Sequence, residues 1–344
     1  MRSKTTLLVI AALALVAQAA AQSVPDRFTV SGGFTPIPLL IKAGEKLASK
    51  SPQYKPPQIL WNDTSVGFEL FCAGAGLETP SINTGTRAMK PEELALCRKN
   101  GVNEIIQFSL GRNALTASQA AAHIKSLSRK ELFLAVAQET PDPKDKTKLI
   151  ANPYRNWKDI DPKLPDLKIQ VIGPESKTGF YKTFSNAILL AGCREVEFFK
   201  ALEASDPAKF ETACKKTRKD DAYAEYSQTT KVIETLKNNP TSVGIVWLTV
   251  ALKEGLKNIA LDNNEPNMIA ISRNLSDLTF PMLVFVKKNH VGTIPGLKEY
   301  LDELTSEEAL GITGYFYEMG LIPLPSAERR QTRADVQALK VITN

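Results

Sequence analysis

Histidine is nearly absent: the 344 residues hold two, His123 and His290, beside four cysteines and three tryptophans. No Cys-x-x-Cys spacing occurs, so a zinc cage or a thioredoxin-like redox pair would lack its ligands, and neither a metal nor a cofactor is expected. Both histidines lie in charged or small-residue, surface-like settings, and no serine stands in a nucleophile-elbow pattern. Ser-His and Cys-His catalysis therefore lack their parts, and no catalytic residue is expected. No aromatics interleave with the densest basic cluster. The densest run, Lys215, Lys216, Arg218 and Lys219, is followed at once by Asp220 and Asp221, which suits a solvated helix face and excludes a nucleic-acid surface. No repeat of solenoid length is present.

What is present begins with an export signature. Arg2 and Lys4 precede an apolar run from Leu7 to Val16, and Ala19-Ala20-Ala21 offers the small residues a signal peptidase reads. The run is shorter than the ~20 residues that span a bilayer, so residues 1–21 are expected to be a cleaved signal peptide and the mature chain to start at Gln22. No later stretch is as apolar, which points to a soluble periplasmic protein. The remaining length suits two lobes with separate cores, and 43% hydrophobic with 23% charged residues is ordinary globular composition. Net charge is +6, or +4 without Arg2 and Lys4, a mild surplus that tolerates anions. Four cysteines in an exported chain invite disulfides, with three possible connectivities; proximity in sequence favours Cys72–Cys97 with Cys193–Cys214.

Short β-branched runs alternate with helical segments, which argues for an α/β fold. Strands are expected at Arg27–Val30, Gln58–Trp61, Ser81–Thr84, Lys168–Ile172, Ser242–Trp247 and Met282–Val286. Helices are expected over Pro38–Lys50, Val66–Ala73, from Pro91 to Asn100-Gly101, over Phe180–Leu190, and finally from near Ser306. Gly320–Pro325 reads as extended, and the residues after Arg329 as a helical or loose tail. Asp142–Lys148, alternating in charge beside prolines, marks an exposed loop between the lobes.

Four junctions place hydroxyls and glycines just ahead of a helix: Gly32-Gly33-Phe34-Thr35, Asp63-Thr64-Ser65-Val66-Gly67, Gly85-Thr86-Arg87 and Ser176-Lys177-Thr178-Gly179. A helix start exposes free N–H groups and partial positive charge, which suits an oxyanion. One such junction is no more than a helix cap. Four in one α/β chain are gathered by the carboxyl edges of the strands into one crevice, where Arg87 could add a bidentate contact.

Several of these segments resemble the phosphate-binding periplasmic component of ABC transporters, within the type II periplasmic binding fold. The resemblance runs from Val30 to about Pro325. It is carried by Gly67-Phe68-Glu69-Leu70-Phe71-Cys72-Ala73-Gly74, and by Thr86-Arg87-Ala88-Met89-Lys90 with Glu92-Glu93 and Leu96-Cys97. Trp157 to Pro162 with Pro165-Asp166, Gly173 to Phe180, Phe280 to Lys288 and Gly320 to Pro325 also carry it. It implies a two-lobed α/β architecture, each lobe a mixed sheet flanked by helices, and a Cys72–Cys97 bridge. The chain departs from the family pattern at three places. Gly32-Gly33-Phe34-Thr35 replaces a Gly-Ser-Ser-Thr-like loop, Thr178-Gly179-Phe180 replaces Ser-Gly-Thr, and Gln107 to Arg112 replaces an aromatic-Asp-Gly crossing. Fewer hydroxyls should weaken phosphate binding, since a desolvated oxyanion must have its hydrogen bonds replaced.

The expected division is 22–109 plus 265–344 for lobe 1 and 110–257 for an inserted lobe 2, with 258–264 as the return. Hinges are expected near Phe108–Gly111 and between about Ile259 and Ile271. The leading expectation is a monomeric binding protein for phosphate or a related oxyanion, delivering it to an ABC transporter permease. The ligand would be held by Thr35, Thr64, Ser65, Thr86, Arg87, Thr178 and Gly179. The alternative is a fold relative that binds a partner or modified ligand outside transport, favoured by Phe34 and Phe180. An exported phosphate-ester hydrolase is disfavoured by the missing metal ligands and histidine.

Overall fold

The computed structural model describes residues 24–342 except Phe34, Lys177, Ser227, Asn267 and 273–277. The expected signal peptide at 1–21 and the Phe34 position lie outside the described residues. Strand β1 (Thr29–Gly32) pairs in parallel with β2 (Gln58–Trp61) and β3 (Ile82–Gly85). Each hands the chain to a helix across the sheet, as parallel pairing requires. Helix α1 (Ile37–Lys50) starts on Pro36 with Pro38 in its first turn, and buries Ile37, Leu40, Ala43, Gly44 and Leu47 along one stripe. Helix α2 (Thr64–Phe71) is capped by Asp63, whose carboxylate accepts from Ser65 N at 2.9 Å. Helix α3 (Pro91–Lys99) opens on proline and closes at Asn100-Gly101, where Gly101 is left-handed. Asn100 Nδ2 donates to Cys72 O at 2.8 Å beside the Cys72–Cys97 disulfide, so α2 and α3 are stapled together.

The chain then crosses to the second lobe on β4 (Ile105–Gln119). There follow β5 (Ser126–Leu127), the hairpin β6 (Glu139–Pro141) with β7 (Leu149–Ala151), β8 (Val171–Pro174), β9 (Tyr223–Tyr226), β10 (Val243–Trp247) and β11 (Lys257–Leu261). Strand β12 (Thr279–Lys287) returns antiparallel between β3 and β4. The hydrogen-bonded order is β2-β1-β3-β12-β4-β10-β8-β9, with β11 on the far end of β4. One end of β4 thus serves the first lobe and the other the second. Its register with β12 shifts between Met282 and Leu283, opposite Gly111 and Ser109, where the sheet bends between lobes. A β-carbon on Gly111 would lie 2.7 Å from Ile322 O, so this crossing needs glycine.

Each lobe closes over its own core. Phe28, Leu40, Ile82, Val284 and Tyr300 belong to the first, where the Phe28 and Tyr300 rings lie 4.8 Å apart. Leu115, Phe133, Trp157, Phe184, Phe199 and Ile245 belong to the second, around the Cys193–Cys214 disulfide. Full burial of each such side chain contributes about 1.5–3 kcal/mol.

Several sequence expectations are corrected. The strand expected at Lys168–Ile172 lies at Val171–Pro174, because β9, a strand the sequence did not announce, pairs with it as far as Pro174. The helix expected over Phe180–Leu190 runs from Gly179 through a π turn at Ser185–Leu189 to Arg194. Ser306 does cap a helix, but a four-residue one, Glu307–Leu310; the final helix is Ser326–Gln337. Beyond it Val341 bridges to Ile106, so the carboxy-terminal segment through Ile342 is tied to β4. Asp142–Lys148 is the tip of the β6–β7 hairpin, because the flanking strands pair with each other. Arg218 is no surface charge: it is 4% exposed, chelates Asp220 at 2.7 and 2.6 Å and donates to Ala135 O and Tyr154 O. His290 is fully buried, its Nε2 donating to Ala75 O and its Nδ1 paired with Ser81 Oγ, and burial pulls its pKa down, which favours a neutral ring. His123 is exposed.

Candidate functional site

The carboxyl ends of β1, β2 and β3 bring three of the four junctions together. At Gly32 the backbone turns with φ +121°, and a β-carbon there would meet Thr84 O at 2.3 Å; only glycine fits. Gly33 N then donates to Thr84 O at 2.9 Å, which locks the first junction onto the third. Thr64, the first residue of α2, wedges between them. A β-carbon on Gly33 would lie 2.9 Å from Thr64 Oγ1, and one on Gly85 would lie 2.6 Å from Thr64 Cγ2. The hydroxyls of Thr35, Thr64 and Thr86 are half-buried, and none makes a hydrogen bond among the described residues. Behind them Asn83 and Thr84 are fully buried, and Asn83 Nδ2 and Thr84 Oγ1 lack partners among the described residues. Polar groups without partners are costly away from water, and here they concentrate at one strand edge.

Arg87 joins the second and third junctions. Its Nη2 donates to Ser65 Oγ at 3.0 Å and to Glu93 Oε1 at 2.5 Å; its Nη1 donates to Glu93 Oε2 at 2.8 Å and to Ala88 O at 2.9 Å. Four of the five guanidinium N–H groups are committed, and Nε takes part in none of these bonds. The guanidinium also lies 5.5 Å from the Phe68 ring centroid. Glu93 is held in turn by Lys90 N at 2.8 Å. Burial pushes the Glu93 carboxyl up, but the Arg87 guanidinium and the Lys90 N–H outweigh it and hold it below the usual carboxylate range. Glu93 raises the Arg87 pKa in return. Glu93 is a site residue the sequence reading missed. Its place three residues after Lys90, with Pro91 between, signalled that it would cap α3, but nothing local signalled the arginine.

The fourth junction, in the second lobe, is of another kind. Thr178 Oγ1 donates to Glu175 O at 2.7 Å and accepts from Tyr181 N at 3.1 Å, so its hydroxyl caps the helix Gly179–Phe184. Gly179 is the first residue of that helix. Phe180 stacks on Trp247 with ring centroids 4.6 Å apart and planes at 26°, and Trp247 meets Phe280 edge-on at 5.9 Å. All three rings are half-buried on the second-lobe core. They stand at the start of a helix, at the carboxyl end of β10 and at the amino end of β12, beside the β4–β12 crossing between the lobes. Trp247 and Phe280 were also missed, because residues 67 and 33 positions away assemble this wall.

Among the described residues no cluster of three or more His, Cys, Asp or Glu side chains gathers to hold a metal, and no helix is long and apolar enough to cross a membrane. A separate open groove of about 970 Å³ lies between the β6–β7 hairpin tip and Glu195–Ser205, and none of the expected ligand residues lines it.

Residues 17–308 match the family described as the PBP superfamily domain. A stretch of 162 residues, 47% of this chain, is 27% identical to Protein SphX of Synechococcus elongatus and spans 43% of that curated relative's length. The fold is similar to that of a possible phosphate binding protein from Planctomyces limnophilus. The TM-score is 0.65 and the identity 18%, over 92% of this chain and 100% of that one. It is similar also to an ABC-type phosphate transport receptor from Vibrio cholerae. There the TM-score is 0.56 and the identity 18%, over 87% of this chain and 100% of that one.

Proposed function

Because the chain belongs to the PBP superfamily, we propose that it is an exported solute-binding protein that captures phosphate or a related oxyanion for an ABC-type transporter. The observation that carries this reading is the convergence of Gly33, Thr64 and Gly85 beneath three uncommitted threonine hydroxyls, with Ser65 and Arg87 alongside. Unpaired donors at a helix start, backed by a guanidinium, suit a tetrahedral oxyanion. The Planctomyces and Vibrio proteins, whose descriptions name phosphate, share the fold. Thr35, Thr64, Ser65, Thr86 and Arg87 form the first-lobe half of the proposed site. Thr178 and Gly179 are its second-lobe half, where the Gly179 N–H at the helix start is the donor, because Thr178 N already donates to Glu175 O and the Thr178 hydroxyl caps the helix. The proposal keeps the division 22–109 plus 265–344 against 110–257, with 258–264 as return. It also keeps the signal peptide 1–21, a periplasmic monomer, a membrane permease as partner and no catalysis. Lobe closure about the β4–β12 crossing would bring the halves together.

Calorimetric titration of the mature chain with phosphate, sulfate and methylphosphonate tests this. Saturable one-to-one binding of at least one oxyanion is expected, and absence of binding for all three overturns the reading. A fold relative serving as a non-transport binding protein would then lead, favoured by the aromatic wall at Phe180.

A further inference from the structure

The two halves of the cleft differ in chemistry, and the difference bears on the ligand class. Resting on the oxyanion reading above, we propose that the ligand is a phosphate ester carrying an aromatic group. Its phosphate would lie on the first-lobe loops and its ring against the Phe180–Trp247–Phe280 wall. Three observations carry this.

At the start of the second-lobe helix the Thr178 hydroxyl is engaged on both sides and has no proton to offer a ligand. In its place stand three half-buried rings in a stacked and edge-on array. Aromatic surface left partly exposed at the edge of a cleft prefers another ring in offset or edge contact over a hydrated anion. Position matches as well. Gly85, at the end of β3, pairs with Leu283 of β12, and Phe280 is three residues along the same strand. At strand rise that separation is about 10 Å. An aryl ester anchored by its phosphate at the Gly85 turn has the length to lay its ring along the wall across that separation. Trp247, paired with Leu115 of β4 and in edge contact with Phe280, continues the wall from the strand crossing into the second lobe.

The test is calorimetry on the mature chain with two probes, inorganic phosphate and phenyl phosphate, in the wild type and in Phe180→Leu and Trp247→Leu. Leucine retains apolar volume, and thermal melts confirm that each variant is folded. Phenyl phosphate should bind about tenfold more tightly than phosphate in the wild type. In both variants that ratio should fall toward one. Quenching of Trp247 fluorescence by phenyl phosphate but not by phosphate, read as the signal lost in Trp247→Leu, supports the same contact. Equal affinity for the two probes in the wild type overturns the aromatic-ester proposal and leaves the oxyanion reading standing. A preference that survives in both leucine variants overturns it too, by placing the ring elsewhere. Failure of both probes to bind sinks the oxyanion reading itself, and this proposal with it.

Discussion

The loops at the ends of β1, β2 and β3 and the loop after β8 occupy equivalent places in their lobes, yet they are built differently. In the first lobe glycines pack against a threonine, hydroxyls are left uncommitted, and an arginine is braced by a glutamate. In the second the Thr178 hydroxyl is consumed as a cap and aromatic rings stand beside it. A fold fixes where such loops meet; it does not fix what they offer a ligand. The anion chemistry of this protein is therefore expected to reside mainly in one lobe, and each prediction below either breaks that asymmetry or sharpens it.

The disulfides give the largest expected effect. Cys72–Cys97 and Cys193–Cys214 close loops of similar length, with sequence separations of 25 and 21. Removing either pair as a double alanine variant should lower unfolding free energy by about 3 kcal/mol, measured by chemical denaturation. Binding should tell them apart. Cys72–Cys97 staples α2 to α3, which carry Thr64, Ser65 and Glu93, so its loss should weaken phosphate binding. Loss of Cys193–Cys214 should leave binding much less changed. Equal losses of affinity would contradict a first-lobe site.

Two buried groups, one in each lobe, should also answer alkaline pH with opposite signs. Lys287 is fully buried, donates to Gly74 O at 2.6 Å and Thr79 Oγ1 at 2.5 Å, and burial pulls its pKa down to about 8. Its folded pKa lies below its unfolded one, so the unfolded state binds more protons between them. Stability should therefore rise by about 2 kcal/mol from pH 8 to pH 10, and Lys287→Met should flatten that slope. In the second lobe, burial pushes the Tyr223 phenol well above its ordinary range. There the unfolded chain loses the proton first, so above about pH 10 this group lowers stability, and Tyr223→Phe should soften that decline. Denaturation midpoints across pH 7–11 for the two variants check both signs.

Arg87→Ala comes next. It leaves Glu93, whose side chain is 12% exposed, without its bidentate partner, and should cost about 2 kcal/mol in stability. Phosphate affinity should fall roughly tenfold to a hundredfold, since a charge-assisted contact is lost and an unpaired carboxylate remains beside the anion. The pair also sets an acid limit. Glu93 titrates below the ordinary carboxylate range in the folded state, so its contribution is present at neutral pH and is lost as pH falls through that lowered pKa. Glu93→Gln should remove the acid-side dependence.

How much of this could be read from residues alone follows the range of the interactions. Pro91 as a helix start and Asn100-Gly101 as a stop act within a few positions, and each is where the sequence placed it, whereas the helix expected over Val66–Ala73 starts two residues earlier because Asp63 caps it. The cysteine pairs lie close in sequence and pair accordingly. Strand β9, the burial of His290 and the Arg218 chelate depend on partners that other segments bring, and polar or charged residues there read as surface. The Phe180–Trp247–Phe280 wall is the furthest case, since three segments spanning a hundred residues build it.

The smallest effects compare single hydroxyls in the two lobes. Thr64 Oγ1 has no hydrogen-bond partner among the described residues and stands where Gly33 and Gly85 converge, so Thr64→Ala removes a donor that is open to a ligand. The loss should reduce phosphate affinity about fivefold, the worth of one neutral hydrogen bond near 1 kcal/mol. Stability should change little, because no bond within the protein is broken. Thr178→Ala should do the reverse. Its hydroxyl accepts from Tyr181 N and donates to Glu175 O, so alanine removes a helix cap and should destabilise the chain by about 1 kcal/mol. Affinity should fall less than in Thr64→Ala, because that hydroxyl has no proton left to donate to an anion. Calorimetry and thermal melts on the two variants, run side by side, separate the effects. If Thr178→Ala weakens phosphate more than Thr64→Ala does, the Thr178 hydroxyl must leave its cap when ligand arrives. The second lobe would then contribute to anion binding as strongly as the first, and the asymmetry would belong only to the ligand-free protein.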